Sequence, residues 1–265
     1  MNKMELFRVM AIASLTLFSC SQENTTPPFE DIPVVEGYLH AGKSPEIKIS
    51  RQVAYSNHTV SISDNLDSLF VKMFDGSQFY DLYPIGEGVY TNPMITVDPL
   101  DSFEVELYFN NKKIFAKTTI PQKPTNFLSS TSNVFVSDDI LTLNNPDEIQ
   151  FSWDNSDGSY YYILIENIDS NPAPVFDNDN ALSINQLFKM SPTLSDSYSM
   201  KTRRFSSYGH HRIVLFHINP DMAALYLDSD NTSQNISNPS SEIANAYGIF
   251  SGINSDTIYV NVLPQ

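Results

Sequence analysis

The sequence contains a single cysteine in 265 residues. One cysteine excludes an intrachain disulfide and a cysteine-rich zinc site. Basic residues are also few, because 15 Lys and Arg oppose 31 Asp and Glu and leave a formal net charge of −16. Phosphate recognition needs a clustered positive surface, so this balance argues against a nucleic-acid-binding protein.

Glycine is scarce as well, with 9 residues against 16 Pro, 14 Tyr and 17 Phe. This mixture favours strands and stiff loops over helices. The hydrophobic content of 41% is enough to bury a core, which excludes global disorder. The length fits one large domain or two ordinary ones.

The N-terminal segment has the pattern of a secretory signal peptide. Lys3 and Arg8 precede an apolar run from Val9 to Phe18, and this run is too short to span a bilayer. It is followed by Ser19 and Cys20, and residues 17–20 (Leu-Phe-Ser-Cys) resemble the bacterial lipoprotein signal motif. In that motif the cysteine thiol receives a diacylglyceryl group.

The position of Cys20 therefore predicts a lipid anchor. We expect residues 1–19 to be a cleaved signal peptide, and residues 20–30 to be the lipidated cysteine and a polar tether. Several acyl chains on one residue suffice for stable membrane attachment. The alternative is an ordinary signal peptide with a chance cysteine. Apart from the covalent lipid on Cys20, we expect no cofactor.

Residues 31–120 show short alternating segments separated by turns, which predict a first β-sandwich. Glu46–Arg51 alternates strictly between polar and apolar residues. Asp75-Gly76 and Asn110-Asn111 each lie between two alternating segments, so both predict hairpins. This unit resembles the small sandwiches related to carboxypeptidase regulatory domains, which implies a fold but no peptidase.

Residues 121–265 predict a second sandwich after a proline-bounded linker at residues 121–124. A strand that ends at Trp153 and a tyrosine-rich strand from Tyr160 resemble the second and third strands of a fibronectin type III-like domain. Trp153 is then core filling, and residues 212–217 and 255–263 are later strands. The fold class that we expect is all-β, with two tandem β-sandwich (immunoglobulin or fibronectin III-like) domains and short helical insertions in the second.

Three segments of the second unit predict helical turns. They are residues 184–190, residues 221–227 after Asn219 and Pro220, and residues 240–247 ahead of Gly248. The long connections that hold them are where sandwich proteins often bind partners.

Metal-binding candidates are weak. His210 and His211 are adjacent and must face opposite ways in a strand, whereas His211 and His217 share a face but lie about 20 Å apart at about 3.3 Å per residue. We therefore interpret the histidines as structural or surface residues. Asp228 and Asp230 begin an alternating oxygen-rich loop, but this loop lacks the glycine and the final glutamate of a calcium site. They remain weak calcium candidates, as does the cluster at residues 177–180, and we expect no metal site.

Catalytic candidates are equally weak. Ser251 in Gly248–Gly252 lies one position late for a nucleophile elbow. A pair of catalytic carboxylates cannot be chosen among 31 acidic residues without a fold. The three tyrosines at 160–162 could form an aromatic binding stripe, but alternation directs at least one of them into the core.

The whole mature chain resembles an uncharacterised family of Bacteroidota lipoproteins, known as domain of unknown function 4249. The segments that carry the resemblance are short and follow one another in order: residues 34–39, Asp75-Gly76, residues 88–90, Pro121, residues 149–153, residues 236–239 and residues 246–252.

The resemblance implies an outer-membrane lipoprotein that assists a TonB-dependent transporter. Ser21-Gln22-Glu23 partly resembles the acidic surface signal that follows the cysteine in lipoproteins of this phylum, and it favours the cell surface over the alternative, the periplasmic face. It supplies no catalytic residues, and the small-molecule ligand stays unknown. Asp67-Ser68-Leu69 and Asp256-Thr257-Ile258 also resemble the O-glycosylation sequon of envelope proteins in this phylum. The leading hypothesis is a non-enzymatic accessory in solute capture or gating. The alternatives are a structural or adhesive surface protein and, third, a hydrolase.

Overall fold

The computed structural model describes residues 31–51, 66–137, 147–175, 187–227 and 243–265. Fifteen strands, one α-helix and a 3₁₀ turn at Thr202–Arg204 lie in these ranges. The first seven strands are β1 (Pro33–His40), β2 (Glu46–Arg51), β3 (Val71–Phe74), β4 (Phe79–Gly86), β5 (Val89–Thr91), β6 (Ser102–Phe109) and β7 (Lys112–Thr119). The later elements are β8 (Leu128–Ser129), β9 (Asn133–Val136), β10 (Glu148–Ser152), β11 (Tyr160–Asn167), β12 (Leu187–Lys189), β13 (Ser197–Lys201), β14 (Gly209–Ile218), α1 (Pro220–Leu227) and β15 (Tyr247–Pro264).

The protein is all-β, and most of its strands belong to one twelve-stranded mixed sheet. The order along this sheet is β12-β11-β14-β15-β1-β2-β5-β4-β3-β6-β7, and β9 pairs with β15 beside this path. A second sheet has the order β13-β10-β8. We call the strands β12, β11, β14, β15, β1, β2 and β5 the main sheet.

The first hydrophobic core forms because β4 passes from one sheet layer to another. Its beginning pairs with β3 through Leu82 and Val71, and its end pairs with β5 through Tyr83 and Thr91. The register shifts between Pro84 and Gly86, as at a β-bulge that bends a strand. The core between the layers contains inward side chains of β1, β2, β3, β5, β6 and β7.

The second core lies between the three-stranded sheet and the main sheet. Phe151 and Trp153 come from one side, whereas Tyr161, Ile163 and Leu215 come from the other. Trp153 is 4% exposed, so its interpretation as core filling between sheets is correct.

Strand β15 contributes to both cores. Phe250 belongs to the first core, whereas Val260 and Val262 belong to the second. Gly37 of β1 lies directly opposite Phe250, and a Cβ atom on it would meet the Phe250 ring at 2.6 Å. The parallel pairing of β1 with β15 therefore depends on the absence of a side chain at residue 37.

The predicted linker is fixed to the main sheet. The carbonyl oxygen of Pro121 accepts a 2.9 Å hydrogen bond from the Asn254 side chain. That of Gln122 accepts one of 2.9 Å from Nδ1 of His217. Since Ile32–Gln265 forms one compact unit and the sheet runs through both cores, the division at residue 121 stays a prediction.

Two of the predicted helical turns are wrong where the structure describes them. Leu187–Lys189 is strand β12, because it pairs with Leu164–Glu166 at an open edge of the main sheet. Ala244 forms a bridge to Phe115, and Asn245 has a φ of 61°, so no helix forms at residues 243–246.

The helix at residues 220–227 and both hairpins are confirmed. Pro220 occupies the first helical position, and the amide of Ala223 donates to the carbonyl of Asn219 at 3.1 Å. In the second hairpin, Asn110 and Asn111 both have positive φ, of 47° and 61°, as a primed turn requires.

Candidate functional site

The candidate site lies on the face of the main sheet opposite the two cores, which we call the outer face. Side chains alternate along β1, so Val35 and Leu39 are fully buried while Glu36 and Tyr38 are exposed. The register extends this face across the neighbouring strands, because Glu36 pairs with Lys48 of β2, and Lys48 pairs with Val89 of β5.

An open cleft of about 320 Å³ lies on this part of the outer face. It is lined by Glu36, Tyr38, His40, Glu46, Lys48 and Val89. Two carboxylates and one ammonium group therefore surround one phenol and one imidazole. Such a mixture can bind a small polar molecule through several charge-assisted hydrogen bonds.

The phenol and the imidazole of the cleft are both shifted toward their uncharged forms. Burial raises the pKa of Tyr38, and the nearby Glu36 carboxylate and Tyr226 phenol raise it further. Burial lowers the pKa of His40, and Lys43 lowers it further, against an opposing effect of Glu46. At neutral pH the formal charge of the cleft is therefore set by Glu36, Glu46 and Lys48.

An aromatic cluster lies on the outer face near Tyr38, outside the lining of the cleft. Tyr162 of β11 stacks on Phe216 of β14, with ring centroids 4.7 Å apart, and contacts Tyr226 of α1 at 6.0 Å. Lys189 of β12 places its Nζ 3.7 Å from the centre of the Tyr226 ring, a close cation–π contact. Burial under these groups raises the pKa of Tyr162.

Helix α1 holds Tyr226 in place because its other side is fixed to the sheet. Met222 and Ala223 are buried, and Asp221 accepts a 2.9 Å hydrogen bond from the Ser251 hydroxyl. The Asn219 side chain, just before the helix, donates to the Thr118 hydroxyl and to the Thr119 carbonyl. The aromatic cluster is therefore part of the packed fold.

The three candidate histidines lie in separate environments. His210 is exposed on the outer face and contacts Asp169, with Nδ1 and Oδ1 3.1 Å apart. His211 and His217 are buried on the opposite face. The Nδ1 atom of His211 lies 3.1 Å from the Gly209 carbonyl, and its ring meets Phe205 edge-on. Strand geometry thus directs the adjacent pair to opposite faces, as expected.

The three tyrosines divide as alternation requires. Tyr161 lies in the second core, stacked on His217 at 4.6 Å, and burial raises its pKa to about 12. Tyr162 faces the other way and is covered by the aromatic cluster, with 7% of its surface exposed. Tyr160 is half-buried. They do not form a single binding stripe.

Several predicted site residues lie outside the described ranges. These are Cys20, Asp228 and Asp230, and the acidic cluster at residues 177–180. Within the described ranges, no group of three or more His, Cys, Asp or Glu side chains is arranged to hold a metal ion. In the same ranges, no helix is both long enough and apolar enough to cross a membrane.

The serine and threonine candidates lie beside hydrogen bonds and ion pairs that belong to the fold. Ser251 is completely buried, and its hydroxyl donates to Asp221. Ser68 and Thr257 are exposed, but the acidic residue before each is engaged: Asp67 accepts from the Gly88 amide at 2.6 Å, and Asp256 pairs with Lys123 at 2.9 Å.

Sequence reasoning missed the cleft, although part of the signal was present. Alternation places Glu36 and Tyr38 on one face of β1, and it places Glu46 and Lys48 on one face of β2. The pattern did not show that these two strands pair in register, which brings the two sets of side chains onto one face.

No family model matches the chain, and no curated protein matches it. Among solved structures, the chain is similar to a chimeric titin Z1Z2 functionalised with a KLER exogenous peptide from decorin. The two are 10% identical with a TM-score of 0.21, and the match covers 89% of this chain and 98% of that one. A TM-score this low supports no argument about shared structure or function.

Proposed function

We propose that the protein is a non-enzymatic cell-envelope lipoprotein that captures a small polar solute and assists a TonB-dependent outer-membrane transporter. The observation that carries the capture role is the mixed-charge cleft on the outer face, lined by Glu36, Glu46 and Lys48 beside Tyr38. The signal-peptide pattern ending at Cys20 supports the lipid anchor, and the resemblance to envelope lipoproteins supports the transporter.

A hydrolase is the third candidate, after capture and after a structural or adhesive role. In the cleft, burial raises the pKa of Tyr38 and lowers that of His40, so both side chains are held toward their uncharged forms and offer neutral hydrogen-bonding groups to a solute.

The charge of the chain supports a position away from the bilayer surface. A formal net charge of −16 opposes close approach to an anionic membrane. A lipid on Cys20 and the tether of residues 20–30 would hold the sandwiches at a distance. We place the protein in the outer membrane, exposed at the cell surface.

Metabolic labelling with a palmitate analogue tests the anchor. We expect the wild-type protein to carry the label and the Cys20→Ala variant to lose it. A wild type without label, or a variant that keeps it, would refute lipidation.

Affinity isolation from detergent-solubilised outer membranes tests the partner, and recovery of a TonB-dependent transporter is the expected result. Gene deletion then separates the alternatives, because loss of solute uptake supports capture, whereas loss of attachment with normal uptake supports the adhesive role. Hydrolysis of a substrate by the purified protein would favour the third candidate.

A further inference from the structure

The charges in the cleft form an ordered pattern. Lys48 lies directly across from Glu36 of β1 and two residues after Glu46 of its own strand, on the same face. Residues two apart in a strand are about 6.7 Å apart, and cross-strand neighbours are about 5 Å apart. One positively charged residue is therefore flanked in two directions by negatively charged residues, and their backbone spacing is comparable to the length of a small molecule.

This pattern discriminates among ligands by charge. A simple anion near Lys48 meets the carboxylates of Glu36 and Glu46, whereas a simple cation near either carboxylate meets the ammonium group of Lys48. A ligand with both charges can place each one beside its opposite. Exposure of the three side chains makes each pair modest, so selectivity arises from satisfying both ends together.

The cleft also offers a surface for the body of the ligand. Tyr38 is 38% exposed and lies next along β1 from Glu36 on the same face, so part of its ring is open to the cleft. Tyrosine rings provide rigid contact area at low entropic cost, and they stack on planar groups.

We propose that the cleft binds a small zwitterion, with its cationic nitrogen toward Glu36 and Glu46, its carboxylate toward Lys48, and its body against Tyr38. This assignment rests on the proposed role in solute capture and names the chemical class of the solute.

Three probes of matched shape test the proposal with the full-length lipoprotein in detergent. They are 4-(aminomethyl)benzoate, which is a zwitterion, and benzylamine and benzoate, which each keep one of its charges. By isothermal titration calorimetry at pH 7 and low salt, the zwitterion should bind about two- to fivefold more tightly than either single-charge probe, the effect of one exposed ion pair. Equal affinities for the three probes would overturn the proposal.

Substitution locates the site. Lys48→Gln should remove the preference for the zwitterion over benzylamine, and Glu46→Gln should reduce the preference over benzoate. Lys72→Gln is the matched control, because Lys72 is an exposed strand lysine outside the cleft, paired in register with Asp81 and Glu106. An unchanged preference in Lys48→Gln, or an equal loss in Lys72→Gln, would exclude this cleft as the site.

The test of the zwitterion site and the test of the accessory role can fail independently of each other. Recovery of the transporter together with equal probe affinities would refute the zwitterion assignment and leave the accessory role standing. Zwitterion binding that depends on Lys48, in a protein that recovers no transporter, would support the site and refute the accessory role.

Discussion

Removal of the Tyr90 hydroxyl tests the hydrogen bonds that stabilise strand β5, which carries the cleft residue Val89. Tyr90 is fully buried in β5, beside the cleft residue Val89. Its hydroxyl donates to the Leu66 carbonyl at 2.7 Å and accepts from the Leu69 amide at 2.9 Å. One side-chain oxygen thus satisfies two backbone groups of the segment that precedes β3.

The expected loss in the free energy of unfolding follows from these two hydrogen bonds. Tyr90→Phe keeps the ring and its packing but leaves the Leu66 carbonyl and the Leu69 amide without this partner. Each lost hydrogen bond costs about 1 kcal/mol, and an orphaned buried group costs about 1–3 kcal/mol. Since the Leu69 amide is only partly buried, we expect a total loss near 2 kcal/mol, or a fall in Tm of about 4–8 °C for a chain of this size.

Thermal and urea denaturation followed by circular dichroism measure the change. Tyr108→Phe is the matched control, because Tyr108 is 58% exposed and its hydroxyl can bind water in either state. We expect the control to stay within about 0.5 kcal/mol of the wild type. A Tyr90→Phe variant as stable as the control would refute the assigned role of this hydroxyl.

Two further predictions concern the sheet that carries the site. Gly248 has a φ of 115° and a built Cβ would lie 2.0 Å from the Val35 oxygen, whereas Gly158 has a φ of 70° with no atom within 4 Å. Gly158→Ala should therefore cost about 1–2 kcal/mol from backbone strain, while Gly248→Ala should prevent stable folding; equal stabilities in urea would contradict this. Burial lowers the folded-state pKa of His211 and of His217, so the unfolded chain binds more protons below the ordinary histidine pKa of about 6.5. Stability should be fully present above about pH 6.5 and should fall as the pH drops through the lower folded values, and a His211→Phe, His217→Phe double variant with the same pH profile as the wild type would count against it.

Local sequence rules predicted much of the fold. Alternation located the strands around Glu46–Arg51 and Tyr160–Asn167, and turn chemistry located the hairpins at Asp75-Gly76 and Asn110-Asn111. The Asp75 carboxylate shows why the first turn signal is strong. Desolvation alone would raise the pKa of this carboxylate. It accepts hydrogen bonds from the amides of Ser77 and Gln78 and from the Ser77 hydroxyl, and together these bonds outweigh desolvation and lower its pKa to about 2.

Long-range pairing was beyond these rules. Leu187–Lys189 is a strand because β11 presents an edge there, and a three-residue segment has too little pattern of its own to predict that. The parallel pairing of β1 with β15 joins residues about 210 positions apart, and its signals are the missing side chains of Gly37 and Gly248. A glycine in a sequence indicates that the backbone can adopt unusual conformations or be approached closely, but it does not show which strand will approach it.

The same limit explains why the candidate site emerged only from the structure. Glu36 and Lys48 become neighbours through a short antiparallel connection, and sequence alternation comes close to predicting them. Tyr226 lies near enough to influence Tyr38 because β15 joins β1 to β14 and because Ser251 of β15 holds Asp221 of α1 against the outer face. The cleft thus carries a locally encoded charge pattern, and the aromatic cluster near it depends on the longest-range pairing in the described sheet. Substitutions of the outward side chains Glu36 and Lys48 should therefore change ligand selectivity, whereas substitutions at Gly37 or Gly248, where β1 and β15 approach each other, should remove the site and the fold together.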